Sequence, residues 1–198
     1  MFVKRMFDVV LSCLGLIILI PLFIIVAILI KLTSTGSVFF CQNRVGKNGV
    51  IFKIIKFRTM IEASGAQITI GKDYRITSIG HVLRKFKIDE LPQLVNVFLG
   101  EMSLVGPRPE VPKYVAIYPD SIRQIVLSVR PGITDWASLS MINESEILAK
   151  SSDPEAEYIN IIMPKKLEFA VKYVQTRTFW QDCVILVATL KKMYSLSS

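Results

Sequence analysis

Two adjacent carboxylates, Asp89 and Glu90, stand where Pro92 marks the start of a helix, and Arg84, Lys85 and Lys87 precede them. A helix start carries partial positive charge and free backbone N–H groups, so it stabilises an anion and can receive a phosphate. That setting is expected to keep Asp89 ionised and able to attack phosphorus without a histidine base. The only histidine, His81, sits among apolar and basic residues and completes no catalytic triad. The commoner role of an aspartate at such a place is to cap the helix, and that reading stands beside the nucleophilic one. Attack of a carboxylate on a diphosphate brings like charges together, which a divalent cation with oxygen ligands would neutralise.

Two further basic groups suit phosphate. Pro107-Arg108-Pro109 fixes the backbone on both sides of one guanidinium, a geometry fit for bidentate binding. An exposed loop arginine is the equally weighted alternative. In Lys56-Phe57-Arg58-Thr59-Met60 the cations Lys56 and Arg58 alternate with Phe57, as a strand would place them.

These residues must be carried by elements that the rest of the chain supplies. From Val9 to Ile30 no residue is charged, a run long enough for a membrane helix, with Pro21 in its middle. Lys4 and Arg5 precede it and Lys31 follows, so charge gives no clear orientation. Ser37 to Gln42 and Val50 to Phe57 read as a β-hairpin turning at Asn48-Gly49. The stretch 62–73 reads as a loop. A helix from Thr77 presents Val82, Leu83 and Phe86 on one face. The next begins near Asp89, buries Leu91, Leu94, Val95, Phe98 and Leu99, and stops at Gly100. Pro131-Gly132 suits a type II turn. The acidic stretch 143–157 reads as solvated surface without chemistry. Pro164 opens a last helical region, whose Trp180 to Lys192 part is short enough for the membrane interface or the core.

With 198 residues the chain makes one domain, and it combines 52% hydrophobic residues with a net charge of +8. An apolar partner and an anionic one are both implied. Cys13, Cys41 and Cys183 lie far apart and give neither a disulfide framework nor a zinc site. No helix-turn-helix, RNP or zinc-finger pattern is present, so nucleic acid is not indicated as a partner.

In their order these segments resemble the small monotopic phosphoglycosyl transferases, the bacterial polyprenyl-phosphate sugar-1-phosphate transferases. The likeness runs through Lys4-Arg5-Met6-Phe7-Asp8, Gln42-Asn43-Arg44-Val45-Gly46, Lys56 to Met60, Asp73 to Thr77, Leu83-Arg84-Lys85, Asp89 to Val97, Gly100 to Pro109 and Arg130-Pro131-Gly132-Ile133-Thr134. The resemblance implies an α+β, predominantly helical fold. In it, residues 1–32 form a re-entrant helix-break-helix on the cytoplasmic face of the bacterial inner membrane, and residues 33–198 form a catalytic domain with a small hairpin and interfacial helices.

It further implies a ping-pong transfer from a UDP-sugar to polyprenyl phosphate, with release of UMP. Asp89 would be the nucleophile, and Glu90 would pair with it on Mg2+. Lys56, Arg84 and Arg108 would bind phosphates, Arg58 and Arg130 would be further substrate-binding residues, and the loop of Pro107, Arg108 and Pro109 would contact the nucleotide. Membrane lipids would be partners, and a homodimer is compatible with the likeness. The chain departs from the family's pattern at Ile20, often serine, at Ile142, arginine in some relatives, and at Ala170, aspartate in many, with Glu168 two positions earlier.

Overall fold

The computed structural model describes residues 2–61, 73–141 and 144–195. The expected loop 62–73, apart from Asp73, lies outside them, as does Ile142. The apolar segment forms one 32-residue helix, α1 (Phe2–Thr33). The break expected at Pro21 does not interrupt it, because proline forfeits only its own N–H and this one sits on the exposed side. Asp8, Ser12, Val26 and Ile30 are buried along one face. Between them a Cβ on Gly15 would lie 3.1 Å from Leu94, and Phe23 meets Phe57 edge-on at 5.2 Å. Spacings of three and four residues keep these contacts on one side of the helix. The other side exposes Met6, Val10, Leu14, Ile17, Ile24 and Ile28. Near its start α1 is pinned by polar side chains. Asp8 accepts from the Ser103 hydroxyl at 2.8 Å and the Leu104 N–H at 3.1 Å, while Lys4 donates to Asp182 at 2.6 Å.

The hairpin forms as expected. β1 (Phe39–Val45) pairs antiparallel with β2 (Ile51–Phe57), and the turn carries positive φ at Asn48 and Gly49. α2 (Ser78–Lys85) is capped by Thr77, whose hydroxyl accepts the Gly80 N–H at 3.0 Å. Its expected apolar face is only partly right: Leu83 is buried and Val82 exposed. α3 (Gln93–Leu99) stops at Gly100, which has φ 91°. Its buried side is Gln93, Asn96 and Val97, whereas Phe98 and Leu99 of the expected stripe are exposed. The reason lies in β2, whose second edge has no neighbouring strand among the described residues. Asn96 fills that role, donating to the Lys53 carbonyl at 2.8 Å and accepting the Ile55 N–H at 3.0 Å.

β3 (Ser103–Val105) and β4 (Gly132–Thr134) pair in parallel, joined through α4 (Pro112–Val115) and α5 (Asp120–Leu127). The type II turn expected at Pro131-Gly132 is absent: Gly132 opens β4 without positive φ. Glycine is needed there for proximity instead, since a Cβ on Gly132 would lie 2.0 Å from the Gly106 nitrogen. Then follow α6 (Trp136–Ser140), α7 (Glu144–Ala149), α8 (Pro154–Glu157), α9 (Met163–Thr176), with Pro164 in its first turn, and α10 (Phe179–Ser195). The mostly helical α+β class is as expected. α10 exposes Trp180, Val184, Val187 and Leu190.

Candidate active site

The chain reverses after α2 because Lys87 adopts a left-handed conformation, φ 56°, which starts a tight turn over Ile88–Glu90. Asp89 and Glu90 are thereby turned inward, 8% and 9% exposed. Three bonds hold Glu90. Arg108 Nη1 donates to Oε2 at 3.1 Å and Nη2 donates to Oε1, while Lys56 Nζ donates to Oε1 at 2.9 Å. Burial works against ionisation of Glu90, but Arg108 and Lys56 outweigh it and keep the carboxyl well below its ordinary range. Glu90 in turn raises Arg108, and burial lowers Lys56. Arg108 itself is exposed between buried Pro107 and Pro109, so one face of the guanidinium loop meets solvent.

Asp89 caps nothing. Its buried Oδ1 has no hydrogen-bond partner among the described residues, and the residue before α3 is Pro92. The capping reading is thus replaced by that of a carboxylate without an internal role. Its acidity also differs from expectation. Burial and the neighbouring Glu90 push Asp89 up, against the pull of Lys56, Lys87 and Arg84. The field at the turn does not offset the removal of water.

The structure brings Lys56, Arg108, Pro107 and Pro109 to this carboxylate pair, and Arg84 close enough to act on it. Arg84 Nε donates to Thr59 Oγ1 at 2.9 Å. Arg58 is not brought there: 5% exposed, it donates to the Ser34 carbonyl and hydroxyl at 3.0 Å each, tying the end of α1 to β2. Gly36 is needed beneath it, since a Cβ there would come within 2.1 Å of Nη1, and its φ is 110°. Arg130 donates to the Gly100 carbonyl at 2.7 Å, at the C-terminal end of α3.

Beside the pair opens a cleft of about 340 Å³, lined by Lys87, Arg108, Asp135, Glu144 and Lys166 together with tyrosines and aliphatic residues. Arg44 buttresses it. It donates to the Pro109 carbonyl at 3.1 Å and to Glu110 at 3.0 Å, and Tyr158 donates to the other Glu110 oxygen. Sequence reasoning assigned none of Asp135, Glu144 or Lys166. Glu144 falls in the stretch expected to be bare surface, yet it accepts from Lys166 across the cleft at 2.7 Å. Ala170 is buried in the cleft wall and Glu168 is exposed and absent from the lining, so Glu168 does not stand in for an aspartate at 170.

Among the described residues no group of three or more His, Cys, Asp or Glu side chains converges on a metal position. Glu90, the second expected ligand, has both oxygens engaged by cations. Asp89 Oδ1, buried and without a partner among the described residues, is an oxygen of the pair left for a Mg2+ ion, which would complete its shell with phosphate oxygens and water.

The sequence is similar to several known proteins. A UDP-N-acetylgalactosamine-undecaprenyl-phosphate N-acetylgalactosaminephosphotransferase of Aeromonas hydrophila is 37% identical over 195 residues, covering 96% of this chain and 43% of the relative. The exopolysaccharide production protein ExoY of Sinorhizobium fredii is 36% identical over 205 residues, 94% of this chain and 83% of the relative. A UDP-glucose:undecaprenyl-phosphate glucose-1-phosphate transferase of Escherichia coli is 35% identical over 195 residues, 96% of this chain and 39% of the relative. The chain therefore spans less than half of two of these relatives and most of the third. The family described as bacterial sugar transferase matches residues 1–195, and the chain belongs to it.

Proposed function

We propose that this protein transfers a sugar-1-phosphate from a UDP-sugar to polyprenyl phosphate, undecaprenyl phosphate by the names of the relatives, through a covalent intermediate on Asp89. The observation that carries the reading is the buried, unpartnered Asp89 oxygen beside a cation cluster, of which Lys87 and Arg108 also line the cleft while Asp89 itself does not. In the first half-reaction an Asp89 oxygen attacks the sugar-bearing phosphorus, an Asp89–phosphorus bond forms, and the phosphoanhydride bond breaks to release UMP. In the second, a phosphate oxygen of the lipid attacks the same phosphorus and Asp89 leaves as a carboxylate. No proton needs to be removed from either nucleophile, which suits a site without histidine.

Arg108 and Lys87 line the cleft where the diphosphate would lie, and Lys56 stands behind Glu90. Glu90 orients Arg108 and Lys56 rather than reacting. When bound, Mg2+ would neutralise charge between Asp89 and the diphosphate.

The same proposal includes a monotopic seat on the cytoplasmic face of the inner membrane, in which α1, continuous in this structure, would bend at Pro21 to enter and leave on one side. Both ends of α1 support it: Lys4 is held by Asp182, and Ile30 is buried with Phe57 and Leu83. A helix packed on one body along its length is not free to cross a bilayer away from it. Pro21 on the outer side is where a bend around the domain would be convex. The stripe of Trp180, Val184, Val187 and Leu190 on α10 suits the interface.

The test is UMP release from a panel of UDP-sugars by detergent-solubilised protein with Mg2+ and undecaprenyl phosphate, alongside Asp89→Asn. Release lost in the variant, and a phosphosugar adduct on the native chain by intact mass, are the expected results. Release that survives in Asp89→Asn would overturn the covalent route.

A further inference from the structure

Beyond the phosphate end, the cleft holds a carboxylate that the mechanism above does not use. Asp135 joins β4 to α6 and is 4% exposed, yet it lines the cleft. Its Oδ1 accepts the Ser138 N–H at 2.7 Å and the Ser138 hydroxyl at 2.6 Å, which fixes the side chain. Its Oδ2 has no hydrogen-bond partner among the described residues. That oxygen is not closed off from solvent, so water satisfies it until a donor arriving with a ligand in the cleft takes its place.

Charge narrows what that donor is. Asp135 acts electrostatically on Arg108, so the two are close. A phosphate on Arg108 and Lys87 would be repelled by Asp135, which therefore faces another part of the ligand. The Ser138 hydroxyl gives its hydrogen to Asp135 and so keeps acceptor capacity, and Glu144, paired with Lys166, lines the same cleft. Such a wall suits a ring bearing several O–H donors. A uracil base, with a single N–H, matches it poorly.

We propose that Asp135 is the hydroxyl-recognition residue of the donor site, its Oδ2 accepting from a hydroxyl of the UDP-sugar, on the hexose or on the ribose. The assignment rests on the UDP-sugar reading above and adds the group that reads the sugar ring.

Asp135→Asn tests it, because asparagine keeps the cap on Ser138 and replaces the free acceptor with an NH2 donor. The measurement is steady-state UMP release with the best donor, together with UMP as a competitive inhibitor. The donor KM should rise about ten- to hundred-fold, the range for a hydrogen bond to a charged group. Inhibition by UMP weakened by the same factor places the contact on the ribose; unchanged UMP inhibition places it on the hexose. A donor KM within about twofold of native overturns the proposal, taking tenfold per 1.4 kcal/mol as the scale. A loss repaired by raised Mg2+ overturns it too, because the carboxylate would then serve the cation. Asp135→Ser, which also caps, takes the place of Asp135→Asn if the latter does not reach the native unfolding midpoint. A native chain that releases UMP from no donor removes the UDP-sugar reading and this assignment with it, whereas native turnover with an unaltered Asp135→Asn removes this assignment alone.

Discussion

Arg108 grips Glu90 with both terminal nitrogens of its guanidinium, Nη1 on Oε2 at 3.1 Å and Nη2 on Oε1, from a loop whose flanking prolines are buried. The acid next to the proposed nucleophile is thus a fixed anion, and the arginine is aimed by it. Arg108→Ala should lower kcat/KM by about 10²- to 10³-fold, the usual effect of losing one donor to developing charge. The stability cost should be only about 1–2 kcal/mol, because more than a third of the Arg108 side chain meets solvent. Glu90 has a depressed folded pKa, so its stabilisation is present above its ordinary 4.5 and is lost as pH falls through the lower folded value. In Arg108→Ala that acid loss should begin at higher pH, as thermal unfolding between pH 3 and pH 6 would show, on the order of the ordinary carboxylate range.

Asp89 has the opposite sign. Its folded pKa is raised above the ordinary 3.8, so its ionised form costs stability at neutral pH and the cost disappears below that value. Asp89→Asn should therefore unfold at a higher temperature than the native chain at neutral pH, with the difference closing as pH approaches 3.8. For activity, the acid limb of kcat/KM should lie above 3.8, and Lys87→Gln should move it higher still. An acid limb at or below 3.8 would contradict the buried setting.

Asn96 carries the free edge of β2. Asn96→Ala leaves the Lys53 carbonyl and the Ile55 N–H without that partner in a part-buried place, a loss of about 1–3 kcal/mol. Denaturant unfolding should register it, and turnover should fall as well, since Lys56 follows directly on that strand.

Gly132 and Gly49 separate two reasons for glycine. Gly49 has φ 79° but open space, so Gly49→Ala should cost about 1–2 kcal/mol from backbone strain alone. Gly132→Ala drives a methyl group into the Gly106 backbone and should cost as much or more, about 2–3 kcal/mol. It should also raise the donor KM, because the Gly132 N–H bonds the Pro107 carbonyl at 2.9 Å.

The seat of α1 is open to cysteine labelling in oriented vesicles. Phe2→Cys and Ser37→Cys should both react with a membrane-impermeant maleimide from the cytoplasmic side only. Labelling of the two from opposite sides would establish a span.

Much of the local structure is legible in the sequence because a few residues impose it. Asn48-Gly49 accept positive φ, the Thr77 hydroxyl caps α2, and Gly100 ends α3. The Asp89-Glu90 pair and Arg108 are legible for similar reasons, as types suited to phosphate chemistry. Features set by distant partners are not. Nothing near Asn96 tells that a strand more than forty residues earlier lacks an edge partner, and so its apolar neighbours Phe98 and Leu99 look more buried than they are. Gly132 reads as a turn residue because its contact with Gly106 lies across the sheet. Glu144 looks like surface because its partner, Lys166, is on another helix.

α1 forms part of the wall of the interior. Cutting it away would strip Phe57 and Leu83 and leave the Leu104 N–H without the Asp8 acceptor. α3 runs directly out of the Asp89 turn and rests on α1 at Gly15. On the proposed function, Asp89 would therefore be carried at a set height over the lipid, like a tool on a fixed stand. An acceptor phosphate tethered at the headgroup plane would meet it at that height, whereas a phosphate free in the cytosol would have no such alignment.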